Sequence, residues 1–259
     1  MKICVVNPNE NWILDRIADE WRTAASEYST KNLNFSLRDE YVDKYHVPCK
    51  KTKDFISQYT TKPIVEICYW YNPELWYPMN KDLCREELGL SNKDFIVGSF
   101  QRDTEGKDLK SPKLEKGPDL FIEYLKMMDI DNLHVLLGGW RRQYVINRLK
   151  DLNIKYTFFE LAPLEIIRKM YASCDLYVVS SRHEGGPQAL LEASAMRVPI
   201  VSTNVGIAES IMSENCIIDI KNEIYFPNDE DVDECHNKVK KYNIQKHIDK
   251  YVEFFRGLK

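Results

Sequence analysis

The stretch Leu176–Glu192, LYVVSSRHEGGPQALLE, decides the fold. Its first four residues, Leu176–Val179, form a short apolar run of the kind buried on both faces of a parallel sheet. A polar loop carrying Gly185 and Gly186 follows, and Pro187 is expected to open a helix as a first-turn residue. Outward from this unit the same rhythm repeats. Strands are expected at Phe95–Phe100, Leu133–Leu137, Lys155–Phe159, Pro199–Ser202 and Cys216–Ile218. Helices are expected between them at Gly117–Met128, Arg141–Leu152, Pro163–Ala172, Gln188–Met196 and Ile207–Met212. Apolar strands alternating with helices predict an α/β fold, a doubly wound parallel sheet covered on both faces.

In such sheets ligands lie beyond the carboxyl ends of the strands. Here that position coincides with a helix N-terminus, whose N–H groups and dipole favour an anion. Gly185 and Gly186 carry no Cβ to block close backbone approach. A phosphate-bearing ligand fits this geometry. Glu184, in the loop, and Glu192, about a turn and a half inside the helix, would repel a phosphate. They suit hydroxyl donors instead, such as a ribose or a sugar ring. The same spacing also fits an ordinary β–α turn with one helix-start acid and one surface Glu.

Composition narrows the classes. The 259 residues are 44% hydrophobic and 12% aromatic, enough to bury a core. A formal charge of −4 gives no whole-chain attraction to nucleic acid. No apolar run reaches the roughly 20 residues that span a bilayer, and the start MKICVVNPNENW turns polar too soon for a signal peptide. The seven cysteines (Cys4, Cys49, Cys68, Cys84, Cys174, Cys216 and Cys235) include no CxxC pair. They read as reduced thiols of a cytoplasmic protein, not as a disulfide framework or zinc site. His46, His134, His236 and His247 show no metal-ligand spacing. No G-x-G-x-x-G follows a predicted strand, which argues against a nicotinamide dehydrogenase.

The first half is less regular. Lys2–Asn7 reads as a strand, Glu10–Tyr28 as a helix, Lys50–Tyr59 as a helix and Pro63–Trp70 as a strand; Ser29–Val47 is polar and ambiguous. Asn7–Asn11 is either a cleft-facing loop or a polar turn with an N-cap Asn. Tyr69, Trp70, Tyr71, Trp76 and Tyr77 cluster before a short helix, Lys81–Leu88, stopped by Gly89. They suit core packing or stacking on sugar rings. His183 suits a sugar or phosphate contact, or a plain surface position.

Glu184 and Glu192 form an E-x7-E pair within EGGPQALLEASAMRVPIVSTNVG. This resembles the donor-site signature of retaining GT-B glycosyltransferases of the glycogen-synthase-like, family-4 type. Upstream, IVGSF…EKGPDLFIEYL resembles that family's strand, basic loop and EKG helix start. LHVLLGGW and YTFFELAPLEIIRKMYASCDLYVVSS resemble its next two strand–turn segments, so the likeness runs over Phe95–Ile218. It implies a nucleotide-sugar donor, no cofactor and no metal. Lys116 would contact the donor diphosphate, with Arg102 as a second cation separated from it by an insertion, Asp103–Leu114. Glu184 and the backbone around Gly185, Gly186, Pro187 and Gln188 would hold sugar and phosphate. Glu192 would accept from the ribose hydroxyls, Leu161 would border the nucleobase, and Gly138 and Gly139 would let the chain pass the nucleotide.

The family pairs two Rossmann-like domains. The expectation is an abridged acceptor-side α/β domain at 1–80, because Ser29–Val47 leaves no room for several βα units. A complete Rossmann-like donor domain is expected at 81–229, and C-terminal helices that cross back to the first domain at 230–259. The alternative for Gln245–Phe255 is a membrane surface, met through Ile248, Tyr251, Val252 and Phe255. The function expected is sugar transfer to a glycan, lipid or small-molecule hydroxyl, in the cytoplasm or at the inner membrane face. The alternative is a non-catalytic nucleotide-sugar-binding protein, or one completed by a homo- or hetero-oligomeric partner.

Overall fold

A computed structural model describes residues 2–4, 29–31 and 43–256. The chain divides into two units, Met1–Asn72 with Lys241–Lys259, and Pro73–Lys240. The expected helix Glu10–Tyr28 and the loop Asn7–Asn11 lie outside the described residues.

In the first unit β1 (Lys2–Cys4) pairs in parallel with β2 (Ser29–Lys31). β3 (Tyr45–Val47) pairs in parallel with β4 (Ile64–Glu66), joined through helix α1 (Lys50–Ile56). The stretch read as one strand, Pro63–Trp70, is extended only over Ile64–Glu66. Beyond it Ile67 and Trp70 turn inward and are buried.

The second unit begins with α2 (Lys81–Glu87), capped by Asn80 and stopped by Gly89 at φ +67°. Its strands are β5 (Phe95–Phe100), β8 (Leu133–Gly139), β9 (Lys155–Glu160), β10 (Leu176–Val179) and β11 (Ile200–Ser202). They form one parallel five-stranded sheet in the order β11-β10-β5-β8-β9. Val97, Val135, Leu137, Leu176, Val178 and Val201 are buried under α3 (Pro118–Met127) and α4 (Gln143–Asp151). Ile96, Leu136 and Tyr177, which alternate with them, are buried as well. Burial on both faces explains why these strands read as continuous apolar runs rather than alternating ones. The remaining helices are α5 (Leu164–Ala172), α6 (Gln188–Ala195), α7 (Ala208–Ile211) and α8 (Asp229–Val239).

Two expectations change in detail. Cys216–Ile218 is not a sixth strand: Glu214–Cys216 is a 3-10 turn, and one parallel bridge joins Ile217 to Ser202. The insertion carries a small antiparallel hairpin, β6 (Thr104–Glu105) with β7 (Ser111–Pro112). The two polar C-terminal stretches part company. α8, closed by an Asn228–Asp231 capping box, belongs to the second unit, whereas α9 (Ile244–Arg256) belongs to the first. On α9, Tyr251 and Val252 are buried with Ile67 and Trp70, so the face weighed for a membrane is core. Trp70 and Tyr71 are buried in the first unit and Trp76 in the second, so these three rings are packing, whereas Tyr77 stays 45% exposed.

Candidate functional site

Strand order sets the site. From β5 the chain winds outward through β8 and β9, then returns to the other side of β5 for β10 and β11. The connections leaving β5 and β10 therefore diverge from neighbouring strands, and the crevice between them is where doubly wound sheets take ligands. One connection, Gln101–Gly117, ends in the EKG segment; the other, Ser180–Pro187, holds Glu184.

Backbone and side chains lock these loops together. The N–H groups of Arg182 and His183 donate to the Glu115 carbonyl, at 2.8 and 3.1 Å. Arg182 places its two terminal nitrogens on the two oxygens of Asp119, at 2.7 and 2.6 Å. Such a planar fork is the strongest geometry for a carboxylate, and it holds Asp119 below its ordinary pKa. Gly117 has φ +59°, and a Cβ there would sit 1.8 Å from the Ser180 carbonyl oxygen. The glycine of the EKG segment is thus required by sterics between the loops.

Lys116 and Glu184, expected apart on ligand groups, meet directly. Lys116 Nζ donates to Glu184 Oε1 at 2.6 Å, and Ser181 Oγ donates to the same oxygen at 2.8 Å. Both remain open to solvent in part, with 27% and 14% of their side chains exposed. The lysine's carbonyl accepts from Gln101 Nε2 at 2.9 Å, which fixes the base of its side chain. Beside the pair α6 begins at Gln188. Pro187 is its N-cap rather than its first-turn residue, and no side chain caps the helix. Uncapped N–H groups at a helix start offer partial positive charge to an anion.

The other expected residues are placed as follows. Glu192 is 5% exposed on α6, and the buried Tyr171 near it has its phenol pKa raised, first by burial and then by neighbouring groups that include Glu192. Arg102 donates from Nε to the Thr104 carbonyl at 3.2 Å and lies over the Trp140 ring, 5.2 Å from its centroid. It is thus tied to the insertion. Gly138 gives room to Phe100 and Met170, and Gly139, at φ +104°, to the Gln101 backbone. Leu161 is exposed, holds φ +47°, and donates its N–H to the Gly139 carbonyl. Gly185 and Gly186 lie in the loop before α6; Glu184 and Gly185 carbonyls crowd Gly206 on the far side.

Sequence reasoning missed the buried ion pair under this rim. Arg142, fully buried, donates to Asp103 Oδ2 at 2.5 Å, to the Gly138 carbonyl at 2.7 Å and to the Ser99 carbonyl. It ties the carboxyl ends of β5 and β8 to the root of the insertion. Among the described residues, no group of three or more His, Cys, Asp or Glu side chains is arranged to hold a metal, and no helix is long and apolar enough to cross a membrane. Cys49, Cys68, Cys84, Cys174, Cys216 and Cys235 are free thiols.

These features define a doubly wound α/β protein with an anion-favouring crevice at its switch point. The chain belongs to the family described as Glycosyl transferases group 1, whose model matches residues 109–252. It is 30% identical over 146 residues to the glycogen synthase of Fervidobacterium nodosum, a match covering 52% of this chain and 27% of that protein. Sucrose-phosphate synthase from Thermosynechococcus elongatus superposes with a TM-score of 0.65 at 13% identity, covering 93% of this chain and 71% of that one. Anabaena HepE, solved with UDP and glucose, gives 0.64 at 16% identity, covering 92% and 67%. The chain shares the GT-B fold of these neighbours.

Proposed function

We propose that this protein transfers a sugar from a nucleoside-diphosphate sugar to an acceptor hydroxyl, with retention at the anomeric carbon. The observation that carries this reading is the Lys116–Glu184 pair beside the uncapped start of α6. Transfer breaks the bond from the anomeric carbon to the diphosphate oxygen and forms one to the acceptor oxygen, whose proton passes to the departing diphosphate. Negative charge grows on the departing phosphates, and fixed positive groups aimed at it lower the barrier. Lys116 and the α6 N–H groups of Gln188 and Ala189 are such groups, with Arg102 as a second cation from the insertion side. They meet this charge without a divalent metal or a resident cofactor.

When the donor arrives, Lys116 exchanges its carboxylate partner for a phosphate. Glu184 then turns to the hydroxyls of the transferred sugar, with Gly185, Gly186 and Pro187 leaving room for it. Glu192, near Tyr171, accepts from the ribose. Leu161 borders the base, and Gly138 and Gly139 keep the neighbouring turn clear of it. The acceptor is a glycan, a lipid or a small-molecule hydroxyl, and catalysis is placed in the cytoplasm. The HepE complex with UDP and glucose supports a uridine donor as the first to try.

A panel of UDP- and GDP-sugars, read by mass spectrometry for nucleotide release and sugar product, tests the proposal. Release that is accelerated by an acceptor, unaffected by EDTA and lost in Lys116→Met is expected. Thermal stabilisation by a nucleoside diphosphate without any release would instead support a binding protein, or one that needs a partner chain. The relative solved as a GtfA/B complex is a precedent for the latter. No stabilisation by any nucleoside diphosphate at millimolar concentration would sink both readings.

A further inference from the structure

In the sugar-transfer reading the insertion contributes only Arg102, yet its hairpin turn, residues 106–110, carries two more cations. Lys107 and Lys110 are both exposed there, on the connection that ends at Lys116. The loop leaving β8 reaches this turn. Arg141 Nη1 donates to the Gly106 carbonyl at 3.4 Å, and the Asp103 N–H donates to the Arg141 carbonyl at 3.3 Å. The Trp140 ring, 37% exposed, packs against Arg141 and Arg102, whose guanidinium carbons lie 4.5 and 5.2 Å from its centroid. Such stacking places a guanidinium without consuming its N–H groups. Carboxylates do not consume them either. Arg85, Arg142, Arg148, Arg182 and Arg197 each hold one, and Lys113 holds Glu115. Among the described residues Arg141, Lys107 and Lys110 form no ion pair. The unburied acids of the hairpin are Glu105 and Asp108, and Asp108 accepts from the backbone N–H of Lys110 at 3.2 Å. Arg141 also holds φ +54°, a left-handed turn that non-glycine residues seldom keep away from functional sites.

We propose that Arg141, Lys107 and Lys110, on the Trp140 platform, bind the acceptor through an oxyanion it carries, a phosphate or a carboxylate on a saccharide. This rests on the sugar-transfer reading and adds to it the chemical class of the acceptor. A guanidinium fork meets either oxyanion with two parallel N–H donors. The lysines add point charge that draws an anion toward the rim. The base of the hairpin is fixed before any ligand arrives: the Lys113 N–H donates to the Asp103 carbonyl at 2.7 Å, and the Asp103 carboxylate holds buried Arg142. The donor diphosphate is not the occupant, because Lys116 and the start of α6 meet it, whereas Arg141 turns to the hairpin. Nucleic acid, the competing polyanion, is disfavoured by the chain's charge of −4 and by guanidinium packing on the ring that a base would stack on.

The test is calorimetric titration of the full chain, with and without UDP or GDP, by tetragalacturonate, glucose 6-phosphate, neutral maltotetraose and inorganic phosphate. At least one anionic saccharide should bind at least tenfold more tightly than maltotetraose and than inorganic phosphate. Which of the two binds separates carboxylate from phosphate. Arg141→Gln and Lys107→Ser/Lys110→Ser should each lower that affinity at least tenfold and leave the nucleotide Kd within twofold. Added salt should weaken the saccharide in the parent, because exposed cations are screened within about a Debye length. Should Arg141→Gln unfold, the exposed lysine pair still decides. The proposal is overturned if neither anionic saccharide exceeds maltotetraose, if inorganic phosphate or a single-stranded oligothymidylate binds as tightly, or if the variants bind as the parent does. A nucleotide affinity that falls together with the saccharide affinity would assign these cations to the donor and overturn it too. Saccharide binding in a parent that takes no nucleotide would instead fault the donor reading and leave the anion site standing.

Discussion

The two ends of the second unit's sheet carry similar carboxylate–cation pairs and opposite helix ends. At the amino end of the strands, Asp94 accepts from His134 Nδ1 at 2.9 Å and Lys155 Nζ at 2.6 Å. Asp175 there accepts from Arg85 at 2.5 Å, Lys81 at 3.0 Å and the Ile96 N–H at 2.7 Å. A hollow of about 610 Å³ opens beside them, lined by Asp94, Leu125, Ile130, Asn132, Asn153 and Lys155. At the carboxyl end, Glu184 accepts from Lys116 and Ser181 next to the start of α6. The difference lies in the helices. α3 and α4 finish at the amino end and bring partial negative charge to the hollow, whereas α6 starts at the carboxyl end and brings partial positive charge. Volume and polar side chains alone do not mark an anion site. The site proposed at the carboxyl end rests instead on helix polarity and strand order.

That comparison can be broken by substitution at each end. The largest effect is expected for Lys116→Met, which should lower donor turnover about 100- to 1000-fold, the usual loss when a fixed charge-stabilising group is removed. Asp94→Asn should leave turnover within about twofold, because the group it changes faces the other end. Glu184→Gln should also cost about 100-fold in turnover, yet bind the bare nucleoside diphosphate at least as tightly as the parent. Removing the carboxylate frees Lys116 for phosphate, so loss of both properties together would sink the exchange of partners.

Stability sharpens the contrast further. Gly117→Ala places a Cβ against the Ser180 carbonyl in a left-handed turn and should cost more than about 2 kcal/mol in chemical denaturation. Gly89→Ala meets nothing within 4 Å at a similar φ, and should cost only about 1 kcal/mol. The smallest effect concerns acid. Arg182 hydrogen bonds hold Asp119 below its ordinary pKa, with burial opposing more weakly. The pair's contribution is therefore complete above the unfolded carboxylate value, near about 4, and lost as pH falls through the lower folded value. A melting-temperature profile should fall more steeply below about pH 4 in the parent than in Asp119→Asn.

Much of this was legible because it is written locally. Phe95–Phe100 and Leu176–Val179 are strands at the residues their apolar runs mark, and Gly89 stops its helix as expected. Gly117, expected inside a helix, is its left-handed N-cap, and Pro187 stands one position before the first turn. What was hidden depends on distant partners. Arg142 reads as a surface cation until Asp103 and Ser99 close around it, and nothing local ties Arg182 to Asp119, 63 positions upstream. The hairpin of the insertion was hidden for another reason. Its strands are two residues each in a charged segment, too short for periodicity to register. Cys216–Ile218 shows the converse: an apolar run long enough to suggest a strand makes a single bridge at the sheet edge.

The most direct measurement is a calorimetric titration of UDP and GDP into the parent, Lys116→Met and Asp94→Asn. The crevice between the β5 and β10 loops predicts a saturable Kd in the parent for at least one nucleotide. It predicts at least tenfold weaker binding in Lys116→Met and an unchanged Kd in Asp94→Asn. Equal affinity in the parent and Lys116→Met, or a loss confined to Asp94→Asn, would place the ligand at the other end of the sheet and contradict the account.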